Sequence, residues 1–64
     1  MRQFEIHTMT LWGEDLGVMI FENGELAVYS NAKIAQRVAD GLNGIKTKFV
    51  NVRHHYVVVE VENA

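Results

Sequence analysis

The 64-residue chain contains no cysteine and no proline. Without cysteine it can form neither disulfides nor a cysteine-based zinc site, and a reducing cytosol is its natural setting. The sequence also lacks internal repeats, low-complexity tracts and any apolar run long enough for a secretory signal or a membrane span. We therefore expect a cytoplasmic protein with one small domain over residues 1–64. This length is near the lower limit for folding without disulfides or bound metal.

Apolar residues make up 48% of this short chain, which is high for a domain with so little interior. That surplus is the first indication of a partner surface. Charge is unevenly spread, at −4 over residues 1–32, +4 over residues 33–55 and −2 over residues 56–64. Such blocks either neutralise each other on folding or favour head-to-tail association and a basic contact patch.

The stretch from Ser30 to Gly44 has a clear helical period. Its apolar residues recur at spacings of three and four and so line one side of a helix; they are Ala32, Ile34, Ala35, Val38, Ala39 and Leu42. Ser30 or Asn31 can cap the first turn with a side-chain oxygen. Gly41 and the pair Asn43-Gly44 predict the end of the helix, because glycine weakens a helix and suits the left-handed residue that closes it.

Segments on both sides of this helix have the pattern of strands. Residues 2–9 alternate, with Phe4 and Ile6 pointing one way and polar residues the other. Residues 16–22 and 25–29 are two further strands, after a turn at Gly13-Glu14-Asp15. Together with the helix they predict an α+β fold, in which a small antiparallel sheet carries one helix on one face.

Asn23-Gly24, between two apolar runs, predicts a two-residue type I′ hairpin, in which both central residues have positive φ. That turn places four side chains beneath the helix, namely Met19, Phe21, Leu26 and Val28. It places four others on the opposite face, namely Val18, Ile20, Ala27 and Tyr29. A sheet face without a helix is normally polar, so apolar residues there indicate a contact surface.

After the helix, residues 45–52 are expected to form a strand, Arg53-His54-His55 a turn and Tyr56–Glu62 the last strand. The element order is then β-β-β-α-β-β, although one long strand over residues 47–62 is the alternative. Alternation predicts a valine floor beneath the helix from Val50, Val52, Val57, Val59 and Val61. It puts Phe49, Tyr56 and Val58 on the opposite face, among other residues.

These patterns favour a non-enzymatic module that binds itself, as a homodimer, or another protein. The predicted partner-binding residues are Trp12, Val18, Ile20, Tyr29, Phe49, Tyr56 and Val58. Trp12 either caps one end of the core or anchors in a partner's pocket. So short a chain would suit an accessory protein of a phage or a mobile element, although no residue marks it as one.

The alternative function is binding of single-stranded nucleic acid through a basic strip with interleaved aromatic residues. The strip consists of Lys33, Arg37, Lys46, Lys48, Arg53, His54 and His55. Against it, the strip is short and the chain carries a net charge of −2.

Few residues suggest chemistry. His54 and His55 would point to opposite faces of a strand, and no fixed spacing links them to His7, so we expect no metal site. Glu14-Asp15 resembles a carboxylate pair, but no nucleophile or oxyanion cradle accompanies it. The glycines form no phosphate-binding loop. We therefore expect no enzyme, no cofactor and no small-molecule substrate, with a cleft shared between two subunits as the remaining route to catalysis.

Overall fold

The computed structural model describes residues 2–46 and 54–62. Four strands and one helix follow in the order β1 (Arg2–Thr10), β2 (Asp15–Val18), β3 (Val28–Tyr29), α1 (Ala32–Lys46) and β4 (His54–Glu62). All strand pairs are antiparallel. The predicted α+β class is confirmed. A strand between the helix and the last strand is not among the described elements, and most of its predicted span lies outside the described residues.

β1 is the central strand of the sheet. β4 pairs with it along its full length, from Arg2 opposite Glu62 to Thr10 opposite His54. On its other side β1 pairs with β2 and then with β3, which lie end to end. The predicted hairpin neighbours β2 and β3 are therefore joined through β1, while the segment between them forms a separate hairpin over residues 19–27.

A three-way backbone junction marks the point where this hairpin leaves the sheet. Ile6 donates its N–H to Ala27 O at 2.9 Å and accepts from Met19 N–H at 2.8 Å. Ala27 N–H in turn donates to Met19 O at 2.9 Å. Because Ile6 and Ala27 are fully buried, these bonds satisfy backbone groups that water cannot reach.

The hairpin turn differs from the predicted type I′. Gly24 has a φ of 88°, whereas Asn23 has no positive φ, and Phe21 bonds both Gly24 N–H and Glu25 O. This is a type I turn followed by a glycine bulge, which adds one residue to the loop. Ile20 consequently faces Leu26 rather than Ala27.

A one-residue slip moves every side chain of a strand to its other face. Ala27 and Tyr29 therefore pack in the core, and the prediction that placed them on the back is wrong. Leu26, which was predicted to lie beneath the helix, is 57% exposed. Val28 pairs with Glu5 and so lies on the face away from the helix.

α1 begins after Asn31, whose Oδ1 accepts from the N–H groups of Lys33 and Ile34 at 2.8 and 3.2 Å. The cap is thus Asn31, the second of the two predicted candidates. The helix continues to Lys46 and passes through the glycines that were expected to end it. Asn43 helps to hold this extra length, because its side-chain amide bonds both the N–H and the C=O of Tyr56 at 2.9 and 3.0 Å.

The helix covers the face of the sheet that carries the even-numbered residues of β1 and β4. Ile6, Ala27 and Ala39 form the buried core, with Val38, Leu42, Tyr56 and Val58 packed against it. The predicted valine floor is therefore wrong, since Val57, Val59 and Val61 pair with His7, Glu5 and Gln3 on the opposite face. Ile34, predicted to reach into the sheet, is 50% exposed.

Candidate interaction surface

The back face is the sheet surface opposite the helix. It carries the odd-numbered residues of β1 and the residues paired with them, because successive side chains of a strand alternate between faces. Its apolar members on the outer strands are half-buried, and they are Val18, Val28, Val57, Val59 and Val61. Its ionisable members are Glu5, His7, Asp15 and His55.

Glu5, His7 and Asp15 form a hydrogen-bonded triad in the middle of the back face. His7 Nε2 lies 2.8 Å from Glu5 Oε1, and His7 Nδ1 lies 2.9 and 3.0 Å from the two carboxylate oxygens of Asp15. Only an imidazolium donates from both ring nitrogens. The His7 side chain is 14% exposed, whereas that of Asp15 is 50% exposed.

Two local features bring this triad together. Glu5 and His7 are two residues apart on one strand and therefore share a face. Asp15 reaches them through a bulge, because β2 takes three steps from Asp15 to Val18 where β1 takes two from Met9 to His7. Gly17 makes the bulge, with a φ of 96° that favours glycine, and its N–H donates to Asp15 Oδ1 at 2.8 Å.

The hydrogen bonds within the triad shift the pKa values of His7 and Asp15 in opposite directions. The hydrogen bond to Glu5, with that to Asp15, raises the pKa of His7 above its usual 6.5 although burial opposes the change. The hydrogen bond from His7, with that from Gly17 N–H, lowers the pKa of Asp15 below 3.8. Both shifts favour the state in which His7 is a cation between two carboxylates.

The buried side chain of Thr10 serves the turn that follows β1, because its hydroxyl accepts the backbone N–H groups of Trp12 and Glu14. Among the described residues no group of three histidine, cysteine or acidic side chains is arranged to hold a metal ion. In the triad, both ring nitrogens of His7 are occupied by carboxylate oxygens.

Large apolar side chains remain exposed around this face. Ile6 is the only large side chain described as fully buried, since the other buried apolar residues are alanines. Ile20 and Leu26 are cross-strand neighbours on the hairpin, and they are 61% and 57% exposed. The turn between β1 and β2 exposes Leu11 and Trp12, with Leu16 beside it in β2.

The predicted partner-binding residues that the structure describes divide into three groups. Val18 lies on the back face and Ile20 on the same side of its strand. Trp12 is 75% exposed, so of its two predicted roles the cap over one end of the core is wrong. The remaining described members, Tyr29, Tyr56 and Val58, pack against the core, so their predicted face was wrong. Phe49 lies outside the described residues.

The predicted basic strip is spread over several elements. Lys33 and Arg37 are exposed on α1 and Lys46 is its last residue. His54 and His55 begin β4, where they alternate between its two faces. Lys48 and Arg53 lie outside the described residues. Nothing described joins these residues into one patch, and nucleic-acid binding stays a prediction.

The sequence contained part of the signal for the triad. A glutamate and a histidine at positions i and i+2 of an alternating strand share a face, and this spacing was visible in residues 2–9. Asp15 was not predictable in the same way, because its place beside His7 depends on the bulge at Gly17. Asn43 was interpreted only as a helix-ending residue, and its long-range bonds to Tyr56 had no local signal.

Comparison with family models, with curated proteins and with solved structures found no match for this chain. Among the described residues, no helix has both the length and the apolar character needed to cross a membrane.

Proposed function

We propose that this protein is a non-enzymatic protein-interaction module that self-associates through the back face of its sheet. The observation that carries the proposal is the mismatch between apolar content and buried volume. Nearly half of the residues are apolar, yet one large side chain is fully buried in the described chain and five outside the helix are more than 50% exposed. Apolar surface of this extent usually marks a contact site.

The triad makes the back face suitable for burial. Unpaired charges oppose burial strongly, whereas charges that already hydrogen-bond each other lose much less when water leaves. Glu5 and His7 are only 21% and 14% exposed and satisfy each other without a partner. The valines beside them therefore supply the attraction, and the triad needs no complementary group from the other protein.

Sedimentation equilibrium across the micromolar range tests self-association. We expect the unmodified protein to form a species heavier than the 7.3 kDa chain. Val59→Lys should weaken this association, because it places a charge among the back-face valines. Ile34→Lys is the matched control, since Ile34 is an equally apolar residue that is 50% exposed on the helix. A strict monomer with no affinity for other proteins would refute the proposal.

A further inference from the structure

The outer edge of β4 is the second unusual surface of the molecule. β4 pairs with β1 alone among the described strands. Ile6 directs both backbone groups away from β4, so in β1 the odd-numbered residues bond β4. By the alternation of antiparallel ladders, the even-numbered residues of β4 direct their N–H and C=O groups outward. The bonds between Tyr56 and the Asn43 side chain confirm this direction.

Asn43 occupies this edge at one position. Its amide binds the outward groups of Tyr56 in the way that a neighbouring strand would. Farther along β4, no described group outside β4 bonds the outward N–H or C=O of Val58 or Glu60. A strand edge with a run of valines and unsatisfied backbone groups is a template for another strand.

We infer that the β4 strands of two copies pair antiparallel, with Val59 facing Val59 of the second copy. This inference rests on the self-association proposed above and specifies its geometry. The outward backbone groups of Val58 then exchange hydrogen bonds with those of Glu60 of the second copy, and the reverse pair does the same. The sheets of the two copies become one continuous sheet, and their back faces lie on the same side.

The side chains select this register over its neighbours. With Val59 at the two-fold axis, Val57 faces Val61 of the second copy, so six valines form one row on the back face. A shift that centres the axis on Glu60 would set the two glutamates opposite each other, which is unfavourable. A shift that centres it on Val58 would set Glu60 opposite Tyr56, whose outward groups Asn43 already binds. With Val59 at the axis, only Glu62, at the end of β4, meets that position.

Charge on the opposite face is compatible with the same register. Glu60 faces Val58 of the second copy and lies diagonally from the other Glu60, at about 7–8 Å for such neighbours. Arg2 lies 3.6 Å from Glu60 and 3.8 Å from Glu62 in the same subunit. In each subunit, Arg2 therefore lies beside both Glu60 and Glu62 and offsets their charge. The partner that fits this edge best is a second copy of the chain.

Cysteine crosslinking tests the register directly, because the chain has no cysteine of its own. In Val59→Cys the two Cα atoms would be about 4.5 Å apart, within the range of a disulfide. In the control Val61→Cys they would be more than about 14 Å apart along the strands, out of reach. Under mild oxidation we expect roughly tenfold more linked dimer from Val59→Cys, and linkage again when Val57→Cys and Val61→Cys are combined.

A proline substitution gives an independent test of the edge. Glu60→Pro removes an outward N–H without removing a bond to β1, a position at which an edge strand accepts proline. We expect it to convert the dimer to a monomer, whereas Glu60→Ala, which loses the same carboxylate but keeps the N–H, remains a dimer. Circular dichroism of both variants shows whether each is folded.

The outcomes separate this inference from the proposed function. Val61→Cys crosslinking as readily as Val59→Cys, or Glu60→Pro associating as strongly as Glu60→Ala, would overturn the edge pairing. If the protein still sediments as an oligomer that Val59→Lys weakens, the back face associates in another geometry and the proposed function stands. A protein that is monomeric throughout would refute both.

Discussion

The two faces of the sheet solve different problems with different residues. On the helix-covered face, Ile6, Ala27 and Ala39 are fully buried, and larger side chains such as Leu42 and Tyr56 pack around them. The back face has five half-buried valines and a triad of charges in place of a second layer. The first face holds one chain together, and we propose that the second holds chains to each other.

The largest expected effect is on the helix-covered face. Ile6→Ala should lower the free energy of unfolding by about 2–5 kcal/mol, because it leaves a cavity at a fully buried site. Ile34→Ala removes the same atoms from a half-exposed site and should change it by no more than about 0.5 kcal/mol. Chemical denaturation measures both. Equal losses from the two variants would contradict the assignment of the core.

The next largest effect on the free energy of unfolding is expected where α1 contacts β4. Asn43→Ala removes two hydrogen bonds to Tyr56 and should cost about 1–3 kcal/mol. Asn23→Ala is the control, since its side chain accepts one exposed backbone N–H, that of Glu25, at 3.0 Å. Denaturation should show a clearly smaller loss for Asn23→Ala. A loss as large as that of Asn43→Ala would mean that the Asn43 bonds do not anchor the helix.

Replacing a glycine by alanine should have opposite effects on stability in the back face and in the helix. Gly17→Ala should cost about 1–2 kcal/mol, because alanine is strained at a φ of 96°. Gly41→Ala should instead gain up to about 1 kcal/mol, since it lies in a helix and an added Cβ meets nothing within 4 Å. Thermal unfolding should therefore shift in opposite directions. A stabilising Gly17→Ala would contradict the bulge that places Asp15 beside His7.

The smallest expected effect is on how folding stability depends on pH through the triad. The raised pKa of His7 gives stability that is complete below 6.5 and is lost as pH rises through the folded-state pKa. The lowered pKa of Asp15 gives stability present above 3.8 that is lost as pH falls through its folded-state pKa. The stability difference between the unmodified protein and Asp15→Asn should therefore be largest between 3.8 and 6.5.

Nuclear magnetic resonance titration measures the same coupling at the histidine itself. The pKa of His7 should be lower in Asp15→Asn than in the unmodified protein, because one of its two carboxylate partners is lost. An unchanged pKa of His7 would show that Asp15 is not its partner in solution.

Local sequence patterns predicted where the helix and strands lie better than they predicted which side chains of each strand face the core. The period of the helix, the alternation of β1 and the existence of the hairpin at Asn23-Gly24 all follow from short-range preferences. A type I′ turn and a type I turn with a bulge differ by one residue in the length of the loop. That choice decided whether Leu26 or Ala27 entered the core.

The face of β4 required information that no local pattern contains. Alternation separated Val57, Val59 and Val61 from Tyr56 and Val58 correctly, but both groups are apolar enough to lie beneath a helix. The register with β1 decides between them, because Ile6 faces Val58 and His7 faces Val57. The pairing of β1 with β2, and the bulge at Gly17 within it, explain in the same way why Glu5, His7 and Asp15 were not predicted as one site.

Sedimentation equilibrium of the unmodified protein, Val59→Lys and Ile34→Lys tests whether the back face is the contact surface. We predict association that Val59→Lys weakens and Ile34→Lys leaves unchanged, because only the first substitution places a charge among the back-face valines. A monomer in all three samples, or equal weakening by the two lysines, would contradict the assignment of the back face as the contact surface.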